Sequence, residues 1–274
     1  MRAAPYLPFL HQGPPDFIVG LRPIPTADWL LPDSEAAALP EKIALLRQRR
    51  DEVYRAAPEA RASEQAVADA LGASTYQRAV ETVSDDFVIL TPRAVGWIAI
   101  SVCLCAPTFF SAEDAIGSTL EHLHAPVPDR LGPNGAQALG ARIGRVFAGL
   151  APDVVLERFN WTVQAGPDRF TPRGQPLRER AARASPEDAD RLLHLRVERQ
   201  TIRKLVTGDV LFTIRVAIDP LAPILAEATP RAAFAAAWRG APAHVRAYKK
   251  WAVYDRLVEA VLGRSEQEAQ ERGV

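Results

Sequence analysis

The sequence predicts an α+β fold, a mostly antiparallel sheet with helices flanking it at the N- and C-terminal ends. Two observations carry this. Helical periodicity occupies the early chain, strand-like segments the middle, and helical periodicity the end, which is not the alternation of a βαβ array. The middle holds a long hairpin, His194 to Lys204 and Val210 to Arg215, joined at Gly208-Asp209. Helices are inserted among the strands, but the order helices, strands, helices points to a mostly antiparallel sheet.

The elements follow in order. Residues 1–34 carry prolines at 5, 8, 14, 15, 23, 25 and 32, so this stretch reads as extended wrapping pinned by Tyr6, Phe9, Phe17 and Leu21. Ile43, Leu46, Val53 and Tyr54 recur at helical spacing and predict a helix over 39–57 that Pro58 ends. Further helices are expected over 63–71, stopped by Gly72, and over 75–82. Asp86–Leu90 and the almost wholly apolar Gly96–Cys105 read as strands, the second of them central. Helices over 113–124 and 133–150 come next, then a strand over 154–163. Residues 164–190 are polar and read as a long loop before the hairpin. After Asp219-Pro220-Leu221 the chain reads as helical over 220–228, 230–238 and 243–262. One domain over 1–262 with a polar, frayed tail over 263–274 is expected.

Composition narrows function. The 274 residues are 48% hydrophobic and 24% charged, enough for a sizeable core. Basic and acidic residues number 33 each, giving a formal net charge of zero and no electrostatic footprint for nucleic acid or a membrane surface. Lys42, Lys204, Lys249 and Lys250 are the only lysines, so arginine placement is informative and arginine abundance is not. No apolar run approaches the roughly 18 residues of a membrane span, and the N-terminus lacks the apolar core of a secretory signal. A soluble, cytoplasmic protein is expected. Two cysteines cannot build a disulfide framework or a structural zinc site. Cys103 and Cys105 share one strand face and read as apolar packing, with a thiolate metal ligand as the alternative.

Two constellations point to chemistry. Glu121-His122-Leu123-His124-Ala125-Pro126-Val127-Pro128 places two imidazoles two residues apart on a helix, so they diverge and do not share a metal. His124 sits in the last turn before prolines that fix the exit. One imidazole on a rigid mount suits a single axial ligand to a haem iron, and a histidine favoured by the helix dipole is the alternative. The hairpin carries Arg196, Arg199, Arg203 and Arg215 inside a half-buried sheet, where an arginine needs an anion or a matched partner. Leu195, Val197, Arg199, Thr201 and Arg203 share one face, and Arg196, Glu198, Gln200 and Ile202 the other. Arg215 lies with Leu211 and Thr213, opposite Phe212, Ile214 and Val216. Arg215 is therefore expected to project into a cavity, with Arg199 as the alternative. The glycines at 132, 135, 140 and 144 lack phosphate-loop spacing, and no Gly-x-Ser-x-Gly or His-Glu-x-x-His occurs.

The segments Leu123–Pro128, Arg158–Val163, Leu195–Ile202, Gly208–Arg215 and Asp219–Leu221, in this order and spacing, resemble the haem-dependent oxidative N-demethylase family. Weaker matches are Phe17–Ile24 with Trp29, and Tyr248-Lys249. The resemblance spans roughly residues 6–255. It implies a PAS-like sheet that holds haem b with a histidine on the iron. It also implies oxidation of a small amine such as dimethylamine by O2, electrons from a flavin- and iron–sulfur-carrying reductase partner, and formaldehyde passed to a folate-handling subunit. Carried onto this chain, His124 is the iron ligand and Arg199 and Arg215 hold propionates or bound oxygen. Phe159, Trp161 and strand 97–105 wall the porphyrin slot, with Arg196 as a further cofactor contact. The chain departs from the family pattern at Ser84-Asp85-Asp86, Cys105–Phe110 and Ala115-Ile116-Gly117, which implies a reshaped pocket. A PAS-like haem or small-ligand sensor, or a scaffold without haem, are the other readings.

Overall fold

The computed structural model describes residues 6–32, 35–124 and 135–271. Seven strands form one antiparallel sheet: β1 (Arg22–Ile24), β2 (Tyr54–Ala56), β3 (Asp86–Arg93), β4 (Gly96–Cys103), β5 (Val155–Ala165), β6 (Leu193–Lys204) and β7 (Val210–Pro220). Their order is β1-β5-β6-β7-β3-β4-β2. The central five, counted in chain order, run 2-1-5-4-3, the arrangement of a PAS-like sheet. The α+β expectation holds. Among the described residues no helix is long and apolar enough to cross a membrane.

The long hairpin forms as expected. Leu205 and Asp209 close its turn, Leu205 N donating to Asp209 O at 2.8 Å. Local differences have local causes. The predicted helix over 39–57 breaks at Arg49 and resumes only over Arg50–Val53, and Tyr54–Ala56 turn into edge strand β2, where Tyr54 pairs with Cys103. The predicted helix over 113–124 is two short helices, Ala112–Ala115 and Leu120–Leu123, parted at Gly117, whose φ of 73° a side chain would disfavour. The 164–190 loop contains helix Gln175–Arg183, whose apolar stripe is only Leu177 and Ala181. The expected 243–262 helix breaks at Lys250, and its last part, Asp255–Glu271, continues past Leu262 instead of fraying. Arg264 ties that helix to Asp190 at 2.8 Å.

Both faces of the sheet are covered. Phe159, Trp161, Leu195 and Val197 pack under the C-terminal helices with Phe234, Trp238 and Trp251. Trp238 and Trp251 stack at 4.2 Å. Farther along this lower face, Phe87, Ile89, Cys103 and Cys105 pack against the N-terminal helices. The upper face presents Val88, Leu90, Ile202, Ile214 and Val216 to helix Gly135–Gly149.

Arg199 and Arg215 sit directly opposite each other across β6 and β7 on the lower face. Like charges in that position repel. Each is neutralised separately. Arg199 donates to Glu157 at 2.6 Å and to the carbonyls of Trp29 and Asp28 at 2.7 and 2.5 Å. Arg215 pairs with Asp85 at 2.8 Å through Nε and also donates to the Leu31 and Pro32 carbonyls. Burial raises the Asp85 pKa and the Arg215 charge opposes that rise.

On the upper side, Arg196 and Asp86 clamp residues 105–108. Asp86 accepts from the Cys105 and Ala106 amides, both at 2.7 Å. Arg196, fully buried, spends its donors on Thr108 Oγ1, Gln164 Oε1 and the carbonyls of Ala106, Pro107 and Arg169. Burial raises Asp86 to about 6.

Two outcomes follow from these buried charges. Arg215→Leu strands the buried Asp85 carboxylate and is expected to lower unfolding free energy in urea by about 3–5 kcal/mol; a loss under 1 kcal/mol would mean that Asp85 finds another partner. Asp86 has a folded pKa above its unfolded value of about 3.9, so the folded state binds the proton more tightly. Wild type should therefore gain stability relative to Asp86→Asn, by about 2 kcal/mol, as pH falls from 7 to 4. Parallel pH–stability curves would contradict the raised pKa.

Candidate functional site

A cavity of about 450 Å³ opens on the upper face of the sheet, within the roughly 300–1,000 Å³ of ligand pockets. Its apolar walls come from β3 (Val88, Leu90), β6 and β7 (Ile202, Phe212) and helix Gly135–Gly149 (Ile143, Phe147). Val19 and Leu21 of the N-terminal segment close one side, and Thr108 to Phe110 another. The latter loop is the one that Arg196 and Asp86 hold from below.

His124 lines this cavity. Thr119 caps its short helix by accepting from His122 N at 3.1 Å. The helix leans on helix Gly135–Gly149 where Gly140 leaves room for Glu121; a Cβ there would meet the Glu121 side chain at 2.9 Å. His124 Nδ1 lies 2.6 Å from Leu120 O. A carbonyl only accepts, so Nδ1 carries the proton and Nε2 keeps a lone pair. Burial lowers the His124 pKa, the Leu120 bond opposing it, so the ring is neutral near pH 7. His122 is exposed and diverges, as its spacing requires. Residues 125–128 of the same motif lie outside the described residues.

The polar groups of the cavity come from alternate residues of β5 and β6, with Arg158, Asn160 and Thr162 beside Glu198 and Gln200. Glu198 Oε2 accepts from Gln200 at 2.7 Å and from Asn160 at 3.2 Å. Lys249 Nζ donates to Asn160 Oδ1 and to Trp161 O, both at 2.9 Å. Burial lowers Lys249 to about 8, the Glu198 carboxylate opposing. Arg158 Nη1 reaches Ile18 O at 3.1 Å, while its Nε is buried with no hydrogen-bond partner. Arg178 and Lys250 stand where the cavity meets a second, more open hollow beside helix Gln175–Arg183.

The other expected site residues lie elsewhere. Arg215 and Arg199 are on the lower face, saturated by Asp85, Glu157 and main-chain carbonyls, and do not line the cavity. Phe159 and Trp161 also point down, Phe159 against Tyr6 at 6.1 Å and Trp161 against Phe9 at 5.6 Å. The strand alternation that puts Arg158 and Asn160 above puts these two rings below. Arg196 faces up but is consumed beneath the 105–108 loop. Cys103 and Cys105 are free, buried and on the lower face. Among the described residues no three His, Cys, Asp or Glu side chains form a metal-binding group.

Sequence reasoning missed Arg158, Lys249 and the cavity role of Glu198. The signal was present in Arg158-Phe159-Asn160-Trp161-Thr162, whose polar and aromatic residues alternate.

No curated protein matches the chain. A family model described as haem-dependent oxidative N-demethylase, alpha subunit-like, matches residues 71–259. That span takes in β3 to β7, His124 and every polar cavity residue named above. The match covers more than half of the sequence, and the chain therefore belongs to the haem-dependent oxidative N-demethylase, alpha subunit-like family.

Proposed function

We infer that this protein binds haem b in the upper cavity through His124 and oxidatively demethylates a small amine with O2. The observation that carries the reading is His124 itself, with Nδ1 fixed on Leu120 O and Nε2 free on the wall of an apolar cavity. A hydrogen bond on the far nitrogen is the usual way a metal-bound imidazole is oriented. The donor set fits the cofactor. There is one neutral imidazole, a slot of aliphatic and aromatic walls, and the rim cations Arg178 and Lys250 for two propionates.

Haem, when bound, supplies the O2 chemistry. One O2, two electrons and two protons convert a methylated amine into the shorter amine, formaldehyde and water. The electrons require a reductant, for which a flavin- and iron–sulfur-carrying reductase partner is proposed. The chain's own residues do the rest. Glu198, held by Gln200 and Asn160, offers its second carboxylate oxygen to an ammonium group. Phe109, Phe110, Ile143 and Phe147 exclude water from the methyl group. Lys249, at about 8, holds or releases a proton near neutral pH beside Asn160.

Purified protein is expected to show a Soret band. His124→Ala should weaken haem affinity beyond the roughly 10–100-fold that loss of an outer-shell partner costs a metal site, while His122→Ala leaves the spectrum unchanged. Equal, mild effects of both would remove His124 from the role. The double variant Cys103→Ala, Cys105→Ala should also keep the wild-type spectrum, since both thiols lie on the far face. Amine-dependent O2 uptake with an electron donor tests the reaction. Glu198→Gln should raise the KM for the amine about 10- to 100-fold, the worth of a charged hydrogen bond, with the Soret band intact. A haem protein without amine-dependent uptake would be a sensor instead.

A further inference from the structure

The cavity holds two opposite charges that are kept apart. Asn160 lies opposite Glu198 and Arg158 opposite Gln200, so Arg158 and Glu198 are diagonal neighbours on one sheet face. Diagonal pairs of this kind are about 7–8 Å apart at the backbone. Both side chains line the cavity, yet they make no ion pair with each other. Each has an open position. Arg158 Nε is buried without a partner. Glu198 Oε1 has no donor among the described residues, because Gln200 and Asn160 both hold Oε2. A buried guanidinium N–H without a partner is costly unless an anion meets it.

The balance of charge around the cavity points the same way. Among the described residues Glu198 is the one acidic side chain lining it, against Arg158, Arg178, Lys249 and Lys250. Two propionates on the rim pair Arg178 and Lys250 leave Arg158 and Lys249 facing Glu198. A simple alkylammonium ion would satisfy Glu198, leave Arg158 idle and add a further positive charge. A ligand that carries a carboxylate beside its amine satisfies both and adds no net charge.

We propose that the substrate of this cavity is an N-methylated amino acid, held by its ammonium group on Glu198 and by its carboxylate on Arg158. The inference rests on the oxidative reading given above and specifies its substrate class. The atom and electron balance is the same: with O2, two protons and two electrons from the reductase, the products are the parent amino acid, formaldehyde and water. Arg158 supplies a planar fork to the carboxylate, and the Lys249 ammonium stands beside it.

The test compares N-methylglycine with dimethylamine by isothermal titration calorimetry, on haem-loaded and haem-free wild-type protein. N-methylglycine is expected to bind at least about tenfold more tightly, since one charged hydrogen bond is worth about 10- to 100-fold. Arg158→Gln should remove that advantage and leave dimethylamine unaffected, Arg158→Lys should restore part of it, and Glu198→Gln should weaken both ligands. Unchanged thermal melting establishes that the variants fold. Equal binding of the two ligands to the wild type overturns the proposal. So does an Arg158→Gln variant that loses haem affinity in place of N-methylglycine affinity, because Arg158 would then be a propionate contact. A protein without a Soret band that still binds N-methylglycine through Arg158 keeps the ligand class and sinks only the oxidative reading.

Discussion

The structure depends on the meeting of Arg199 and Arg215 across the central hairpin. Two guanidinium groups facing each other under a sheet are unstable by themselves. They become tolerable because Glu157 and Asp85 each neutralise one, and because the carbonyls of Asp28, Trp29, Leu31 and Pro32 take the remaining donors. That gives the proline-rich N-terminal segment its purpose. Proline removes N–H donors but keeps carbonyls, and here carbonyls are what two buried arginines need. The same segment, before it reaches them, passes along the upper side as Val19 and Leu21 and closes the cavity. The ion pairs beneath the sheet thus anchor a wall above it.

Much of this was legible in the sequence. The hairpin, its turn and the α+β order follow from alternation and turn residues alone, whereas the apolar β4, expected at the centre of the sheet, lies next to its edge and is flanked outside only by the three-residue β2. The divergence of His122 and His124 follows from helical spacing, and the structure leaves one exposed and the other on the cavity wall. The alternation also sorted the hairpin residues correctly into faces. It did not say which face carried the cavity. Arg215 looked like a cavity residue because its strand neighbours include Thr213 and lie opposite Phe212, Ile214 and Val216. A sheet covered on both sides buries polar side chains on either face, so polarity alone does not mark the face that carries the cavity. The partners that consume Arg215 and Arg199 come from residues 28–32, 85 and 157, and no local pattern reveals contacts that distant.

The missed elements have physical reasons of the same kind. Tyr54–Ala56 continue a helical pattern, but the edge of β4 offers them a backbone ladder, and tertiary pairing outweighs a weak propensity. Helix Gln175–Arg183 buries only Leu177 and Ala181, so periodicity has almost nothing to register. Arg196 shows the limit of reading a buried arginine as an anion site. Its donors end on the carbonyls of Ala106, Pro107 and Arg169 and on two side-chain oxygens, making it a staple for the loop that carries Thr108, Phe109 and Phe110.

One register ties the two faces together. In β5 and β6 the side chains alternate, so a slip of one residue would exchange every upward group for a downward one. Glu157 reaches Arg199 below, while Asn160 reaches Glu198 above. These two contacts belong to the same ladder, in which Phe159 faces Arg199 and Asn160 faces Glu198. A slipped register would bury Arg158 among Phe234, Trp238 and Trp251 and lift Glu157 away from Arg199, leaving charges unpaired on both sides. The pair below therefore specifies the pairing that sets Arg158 and Glu198 diagonally above. Their diagonal placement is fixed by an ion pair that never touches the cavity.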